Sequence, residues 1–212
     1  LWEKCQDYEH RERSPHYGDG EEQHFNNRLN HDEIMSEMMG LEWEGEEISS
    51  VAGKSVIEIG AGPWGLTLRV KGASLLYAVE PAKFPANILG RYESRGVKFI
   101  NEPAELVTLK SLGLTEKFDE VWLSNCLQHT QSPQHILQNM LDLGKTIRVF
   151  EWVDYPPHEG HPWLITKNLI ESELLSGADC EVGIQRKLNI RCNPGPKTFI
   201  GNAYWGIFKV RE

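Results

Sequence analysis

The stretch SVIEIGAGPWGLTL, residues 55–68, decides the predicted fold. It begins as an apolar strand and continues into Gly60, Gly62 and Gly65, which have the spacing Gly-x-Gly-x-x-Gly. In such a turn the first glycine permits a sharp reversal, the second lets a ligand approach the backbone, and the third allows a following helix to pack closely on the strand. The sequence therefore predicts a strand, a ligand-binding turn and a helix in succession.

The pattern downstream of this turn is typical of a doubly wound α/β sheet, because short apolar runs alternate with helical stretches. After residue 165 the alternation stops, and two strand-like runs follow with only a connector rich in Pro and Gly between them. These runs must pair antiparallel, since a parallel connection needs a crossover. We therefore predict an α/β fold with a Rossmann-like mixed sheet of seven strands, parallel except for a C-terminal antiparallel hairpin, and helices on both faces. The predicted strands are 54–60, 74–80, 96–100, 118–124, 145–153, 180–191 and 201–212, and the predicted helices are 63–71, 84–94, 103–112, 133–142 and 166–177.

Residues 1–50 differ from the rest of the chain, because they are polar and show no strand pattern. We predict that residues 1–50 form a helical lid or cap and that residues 51–212 form a cofactor-binding domain. The apolar side chains that recur at roughly helical spacing in the first segment are Phe25, Leu29, Ile34, Met38 and Leu41.

Composition argues against several classes of partner. The formal net charge of −9 disfavours a long polyanion such as nucleic acid, whose binding rests largely on neutralised phosphates. No apolar run approaches the roughly 18 residues of a membrane-spanning helix, and the N-terminal residues are too charged for a signal peptide. The four cysteines lack metal-binding spacing, which favours free thiols in a reducing compartment. We therefore expect a cytoplasmic protein without a nucleic-acid or membrane partner, and the sequence leaves its oligomeric state open.

Two carboxylates flank the glycine turn and bear on which cofactor it would hold. Glu80 stands at the end of the next predicted strand, where a carboxylate can accept hydrogen bonds from both hydroxyls of a ribose. Glu58 stands two positions before Gly60, where its charge would repel a pyrophosphate but attract an ammonium group. S-adenosylmethionine carries that ammonium and no phosphate, so Glu58 favours it over a nicotinamide dinucleotide. An NAD(P)-dependent oxidoreductase and a non-catalytic cofactor-binding module remain the alternatives.

The segments VIEIGAGPWG, YAVEP and FDEVWLSNCLQHT together resemble the class I S-adenosylmethionine-dependent methyltransferases, especially the small-molecule branch. The resemblance covers roughly residues 50–212, and the terminal antiparallel hairpin is the topological hallmark of that family. It implies transfer of a methyl group to O or N of a small-molecule acceptor. The cofactor-binding residues that it implies are Glu58, Gly60, Ala61, Gly62, Glu80, Pro81, Glu102, Pro103, Ala104, Ser124 and Asn125.

Candidate acceptor-binding residues follow the fourth and fifth predicted strands. His129 lies just beyond the fourth strand, at the carboxyl edge where α/β sites form, and His is suited to remove a proton near neutral pH. We predict His129 as the catalytic base, with local packing before the next helix as the alternative. The segment EWVDYPPHEGHPW, residues 151–163, opens on the same edge, although it can also be read as a loop stiffened by Pro. The candidate substrate-binding residues are His129, Trp152, Tyr155, His158 and His161, and we predict no metal, because the His158-x-x-His161 spacing alone is a weak signal.

Overall fold

The computed structural model describes Gln23, Phe25, Asn26 and residues 28–191 and 198–211. The helices in these ranges are α1 (Leu29–Met38), α2 (Ala86–Ser94), α3 (Pro133–Leu143) and α4 (Lys167–Leu174). The strands are β1 (Trp43–Glu44), β2 (Glu47–Ile48), β3 (Ser55–Ile59), β4 (Leu75–Val79), β5 (Val97–Ile100), β6 (Phe118–Ser124), β7 (Gly144–Val153), β8 (Ala178–Arg191) and β9 (Thr198–Val210). Short 3₁₀ helices span Leu66–Arg69, Ala104–Leu106 and Leu127–His129.

Seven strands form one sheet in the order β5-β4-β3-β6-β7-β9-β8. The five strands β3 to β7 pair with one another in parallel, whereas β9 lies antiparallel to both β7 and β8. The predicted mixed sheet and its C-terminal hairpin are therefore confirmed. The hairpin folds back so that its second strand, β9, pairs with β7 and its first strand, β8, forms the edge of the sheet.

The sheet separates two apolar cores, because alternate residues of a strand face opposite sides. Ile57 of β3 belongs to one core, together with Ile136 of α3. Val56 belongs to the other core, where α1 contributes Met35 and α2 contributes Ile88. Helices on both faces are thus confirmed, and the central strands are buried between them.

Helix α3 begins where the sequence predicts. The Ser132 hydroxyl accepts a hydrogen bond from the His135 N–H (3.3 Å), and Pro133 occupies the first turn. Both features are typical of a helix N-terminus, since the cap satisfies an unpaired N–H and proline has none to leave unpaired. This fixed start ends the connection that follows β6, where the predicted base His129 is found.

The predicted helix at 63–71 is wrong. Gly65 has an extended backbone (φ −65°, ψ 158°), and regular structure resumes only with the 3₁₀ helix Leu66–Arg69. The Glu58 carboxylate accepts the N–H groups of Leu66 and Thr67 (2.8 Å each), donors that the start of a short helical turn leaves without an internal partner. Residues 60–74 therefore cross from β3 to β4 without an α-helix.

The predicted helix at 103–112 is also wrong, because only Ala104–Leu106 is helical, as a 3₁₀ turn. The Thr108 N–H donates to Ser111 Oγ (2.9 Å), and the Ser111 N–H donates to Thr108 Oγ1 (3.0 Å). Hydroxyl side chains that bond the backbone in this way compete with helical hydrogen bonds. The structure also contains a small antiparallel pair, β1 with β2, that the sequence pattern did not predict.

The described part of residues 1–50 packs against the segment that follows β3. Asp32 of α1 is fully buried, and its Oδ2 atom lies 3.5 Å from Nε of Arg69. Arg69 also donates from Nη2 to the Phe25 carbonyl (2.6 Å), and its guanidinium lies 3.6 Å from the centre of the Phe25 ring. Residues 1–22, 24 and 27 of the predicted lid lie outside the described residues, and the lid role stays a prediction.

None of the helices in the described ranges is both long enough and apolar enough to cross a bilayer.

Candidate functional site

The glycine turn and the connection after β6 meet at the point where the strand order reverses. The chain leaves β3 towards β4 and β5, then returns to place β6 on the other side of β3. The carboxyl ends of β3 and β6 therefore lie side by side at the switch point, the position at which open α/β sheets bind ligands. Gly60 has a positive φ of 69°, and a Cβ atom added to it would lie only 2.4 Å from the sulfur of Cys126. The predicted turn thus contacts the connection that leads to His129.

Gly62 is held through both of its backbone polar groups. It has a positive φ of 63°, its N–H donates to Glu80 Oε2 (3.0 Å), and its carbonyl accepts from the Tyr92 hydroxyl (2.8 Å). The same hydroxyl accepts the N–H of Gly65 (2.9 Å). The structure therefore brings the predicted Gly62 and Glu80 together and adds Tyr92, a residue that the sequence analysis missed.

Glu80 is the residue predicted to bind a ribose, and backbone donors hold its carboxylate beside the glycine turn. Its carboxylate is half-buried at the end of β4, and besides Gly62 it accepts the N–H of Ala82 at Oε1 (3.0 Å). The Asn101 amide ties this corner to the end of β5 by donating to the carbonyls of Glu80 (2.9 Å) and Ala82 (2.8 Å). Each carboxylate oxygen has more than one lone pair, so an oxygen that accepts one N–H can also accept a hydroxyl. Gly62 has no side chain that could obstruct such a ligand, whereas the space that a side chain at Gly60 would need is filled by Cys126.

Glu58 is only 2% exposed, and its carboxylate accepts hydrogen bonds from groups within the protein. In addition to the two N–H bonds described above, it accepts the Thr67 hydroxyl at Oε2 (2.8 Å). Burial raises the pKa of the Glu58 carboxyl from its usual 4.5 to about 7, although these hydrogen bonds lower it. The structure thus gives Glu58 a clear part in shaping the turn, and its predicted contact with the cofactor's ammonium group stays a prediction.

The remaining predicted cofactor residues border the same edge. Ala61 is buried, and its N–H donates to the Val79 carbonyl (3.2 Å). Glu102 is exposed after β5, and the carbonyl of the buried Ala104 accepts from the Asn139 amide (2.9 Å). Pro81 follows Glu80 and is half-buried, and Pro103 precedes the 3₁₀ helix Ala104–Leu106. Contact of these residues with an adenine ring stays a prediction.

The connection after β6 begins with two predicted cofactor residues. The Ser124 hydroxyl lies 3.7 Å from the sulfur of Met35 in α1. Asn125 has a positive φ of 54°, a conformation that Asn tolerates better than most residues, and its side-chain oxygen accepts from the Gln128 amide (2.9 Å). The backbone reversal at Asn125 leads directly into the 3₁₀ helix Leu127–His129.

Glu151 of β7 fixes the connection after β6 through hydrogen bonds to its backbone, a role that the sequence analysis did not predict. Its carboxylate is fully buried and accepts the N–H groups of Cys126 (3.0 Å) and Leu127 (2.8 Å) at Oε2. Its other oxygen accepts the N–H of Trp152 (3.1 Å). Burial raises the pKa of the Glu151 carboxyl from 4.5 to about 8, against the opposing effect of these three hydrogen bonds. A carboxylate at the end of an apolar strand was the visible signal in the sequence.

Three of the predicted acceptor-site residues form one cluster around Gly160. The Gly160 carbonyl lies 2.9 Å from His129 Nδ1, and the Gly160 N–H donates to His158 Nδ1 (3.2 Å). The ring of His161 lies between the other two, with centroids 4.5 Å from His129 and 4.3 Å from His158. A carbonyl can only accept, so His129 Nδ1 carries a hydrogen, and Nε2 bears the lone pair when the ring is neutral.

The other two predicted acceptor residues contact different parts of the protein. Trp152 is 8% exposed, and its ring centre lies 5.7 Å from that of Phe150. Tyr155 is exposed, and its hydroxyl donates to the Ile200 carbonyl of β9 (2.9 Å). Their substrate-binding roles stay predictions. Where the chain is described, His, Cys, Asp and Glu side chains do not form a group of three or more that could hold a metal ion.

The fold, a mostly parallel seven-stranded sheet with a C-terminal antiparallel hairpin, is shared with solved methyltransferases. No protein-family model matches the chain, and a search of curated proteins also finds no match. Magnesium protoporphyrin IX methyltransferase (ChlM) from Synechocystis PCC 6803, solved with bound S-adenosylhomocysteine, has a TM-score of 0.60 at 10% identity, covering 94% of this chain and 97% of that chain.

Two further solved structures show how widely this fold is used. A candidate RNA methyltransferase, PH1948 from Pyrococcus horikoshii, has a TM-score of 0.53 at 17% identity, covering 76% of this chain and 74% of that one. The [4+2]-cyclase SpnF has a TM-score of 0.61 at 14% identity, covering 85% of this chain and 81% of its own. At these identities the likeness concerns the fold, and the reaction has to be argued from the site.

Proposed function

We propose that this protein is an S-adenosylmethionine-dependent methyltransferase that acts on O or N of a small-molecule acceptor. The observation that carries the proposal is the corner formed by Gly62 and Glu80 at the switch point of the sheet. There Gly62, which has no side chain and a positive φ of 63°, lies beside the Glu80 carboxylate, and two backbone N–H groups hold that carboxylate in place. This arrangement suits a ribose, and the antiparallel hairpin at β8 and β9 supports a methyltransferase.

The proposed cofactor site uses the residues at the carboxyl edge. Glu80 would accept the ribose hydroxyls, and Gly60 and Gly62 would let the methionine part approach the backbone. Glu102 and Ala104, after β5, would face the adenine. When bound, S-adenosylmethionine supplies an electrophilic methyl group on its sulfonium.

His129 is the proposed base. The Gly160 carbonyl fixes the ring through Nδ1 (2.9 Å), so that Nε2 is the atom that would take a proton from the hydroxyl or amine of the acceptor. The same carbonyl would stabilise the imidazolium formed, because Nδ1 keeps its hydrogen and its partner. Alignment of the acceptor would fall to the residues around Gly160, and positioning of this kind can lower a barrier by roughly 7–11 kcal/mol.

The proposal of a small acceptor rests on charge. A net charge of −9 works against binding a long polyanion. One solved protein of this fold, PH1948, is nevertheless described as a candidate RNA methyltransferase. The N-terminal segment, from which α1 is described, is proposed to cover the acceptor. We further propose a cytoplasmic location. Cys126 and Cys180 are free thiols, which agrees with a reducing compartment.

Calorimetric titration with S-adenosylhomocysteine, and separately with NAD, tests the cofactor. We expect binding of the former and none of the latter. Binding of NAD alone would overturn the proposal in favour of an oxidoreductase. Release of S-adenosylhomocysteine in the presence of candidate acceptors then tests the reaction, and tight cofactor binding with no turnover across hydroxyl and amine acceptors would indicate a non-catalytic module.

A further inference from the structure

The glycine turn is held by side chains from three different elements, because no α-helix follows it. Glu58 on β3 binds the N–H groups of Leu66 and Thr67, and Glu80 after β4 binds the N–H of Gly62. The third element is α2, which supplies Tyr92. We propose that the Tyr92 hydroxyl is a positioning group that preforms this turn for the cofactor. The proposal rests on the proposed function, since it concerns the same cofactor site.

The Tyr92 hydroxyl makes two hydrogen bonds in opposite directions. It donates to the Gly62 carbonyl (2.8 Å) and accepts the Gly65 N–H (2.9 Å), and so it bridges the turn across two intervening residues. Tyr92 itself is 0% exposed. Without the hydroxyl, the carbonyl and the N–H would be left in a buried place without their partner, and unsatisfied groups of that kind are strongly disfavoured.

The close packing around Gly65 shows that the hydroxyl has a defined place. A Cβ atom added to Gly65 would lie 2.9 Å from the Tyr92 hydroxyl and 2.6 Å from Glu58 Oε2. The Tyr92 ring packs on Phe99 of β5, with centroids 4.8 Å apart. The Tyr92 ring is therefore held by α2 and by Phe99 of β5, and it carries the hydroxyl to the turn from outside the turn itself.

Gly62 connects Tyr92 to the ribose site. Its carbonyl is held by Tyr92 and its N–H by Glu80, so one peptide unit on each side of Gly62 is fixed by a side chain. If the hydroxyl is removed, Gly62 can rotate and the Glu80 carboxylate loses a stable partner. A ligand would then have to order both groups when it binds, and that ordering lowers affinity.

Tyr92 acts in its neutral form. Burial, together with the charges of Glu58 and Glu80, raises the pKa of the Tyr92 hydroxyl well above its usual value. A neutral hydroxyl can donate and accept at once, which is what the two bonds require.

The test compares Tyr92→Phe with Tyr77→Phe in the otherwise intact chain. Tyr92→Phe keeps the ring that packs on Phe99, so the core should be retained. Tyr77 is a matched control, because it is 3% exposed and its hydroxyl accepts from Lys98 Nζ (3.3 Å) instead of the glycine turn. We expect Tyr92→Phe to weaken S-adenosylhomocysteine binding by about tenfold or more in calorimetry, and Tyr77→Phe to leave it near the wild-type value.

A second readout separates positioning from a general loss of stability. Amide hydrogen exchange at Gly62 and Gly65 should become faster in Tyr92→Phe and not in Tyr77→Phe, when both are compared with the sheet amides of the same variant. Wild-type affinity in Tyr92→Phe, or equal weakening in both variants, would overturn the positioning role alone. Failure of the wild-type protein to bind S-adenosylhomocysteine would instead overturn the proposed function, and with it the purpose assigned to the turn.

Discussion

Replacement of Glu58 by Gln should change how the stability of this protein depends on pH. The Glu58 carboxyl has a pKa of about 7 in the folded protein and about 4.5 when unfolded, because burial disfavours its charged form. Between these two values the folded state binds more protons than the unfolded state. The contribution of Glu58 to the free energy of unfolding is therefore fully present below pH 4.5 and is lost as the pH rises through 7.

The size of this effect follows from the two pKa values. A pKa that rises from 4.5 to about 7 corresponds to a free energy of unfolding that is about 3 kcal/mol lower above pH 7 than below pH 4.5. That is a substantial share of the roughly 5–15 kcal/mol by which domains are stable. Gln is always neutral, so Glu58→Gln should lack this part of the pH dependence. The Gln amide group also faces an N–H that now lacks its acceptor, which adds a cost of about 1–3 kcal/mol that does not change with pH.

Urea unfolding at pH 5, 6, 7 and 8 provides the measurement. The free energy of unfolding of the wild type minus that of Glu58→Gln should fall by about 2–3 kcal/mol from pH 5 to pH 8, so that the less stable variant draws level with the wild type or overtakes it, while other titrating groups cancel in the comparison. Glu93→Gln is the matched control, because Glu93 is exposed on α2, and its curve should run parallel to that of the wild type. A Glu58→Gln curve that is also parallel to the wild type would refute the reasoning.

Three further predictions concern other groups. Glu80→Ala should weaken S-adenosylhomocysteine binding by about 1–3 kcal/mol in calorimetry, through loss of charged hydrogen bonds, and unchanged affinity would remove Glu80 from the site. His129→Ala should lower the rate of S-adenosylhomocysteine release with a competent acceptor and leave cofactor affinity nearly unchanged; a loss of stability in urea without that effect on rate would support the packing alternative. Asp32→Ala should destabilise the fold by about 3–5 kcal/mol, because it leaves the buried Arg69 without its carboxylate, whereas Asp179→Ala at an exposed ion pair should cost at most about 1 kcal/mol in the same urea assay. Equal effects of the two Asp variants would contradict the larger stabilising role expected for the buried pair of Asp32 and Arg69.

The sheet could be predicted from the sequence because its signals are local. Apolar runs mark the strands, and the absence of a helical pattern between the last two runs requires an antiparallel hairpin. The start of α3 was predictable for the same reason, since Ser132 and Pro133 are adjacent to the helix that they begin. The predicted helix at 63–71 failed because its apolar spacing gives no indication of the backbone at Gly65.

The positions of the candidate site residues could be predicted only where the topology was enough to determine them. Gly60, Gly62 and Glu80 follow from strand ends, and the meeting of His129 with His158 and His161 follows from two connections on one edge. The partners of Tyr92 lie 27 and 30 residues away in the chain, and nothing next to Tyr92 indicates that its hydroxyl would reach them. Glu58 was visible as a carboxylate, but its direction depends on the path of residues 60–74.

Two buried carboxylates hold the connections on either side of the switch point. Glu58 of β3 holds the connection that follows β3, and Glu151 of β7 holds the connection that follows β6. Each accepts N–H groups from the start of a short 3₁₀ helix, and for each the burial that excludes water also raises the pKa, to about 7 and about 8. In the ionised state the carboxylate bonds the N–H groups more strongly, but the folded protein bears the cost of a buried charge. Loops that a helix or an apolar contact would stabilise without this cost are therefore fixed here by buried carboxyl groups. That arrangement is expected where the path of the backbone matters more than stability, and it agrees with the site proposed at this edge around the glycine turn and His129.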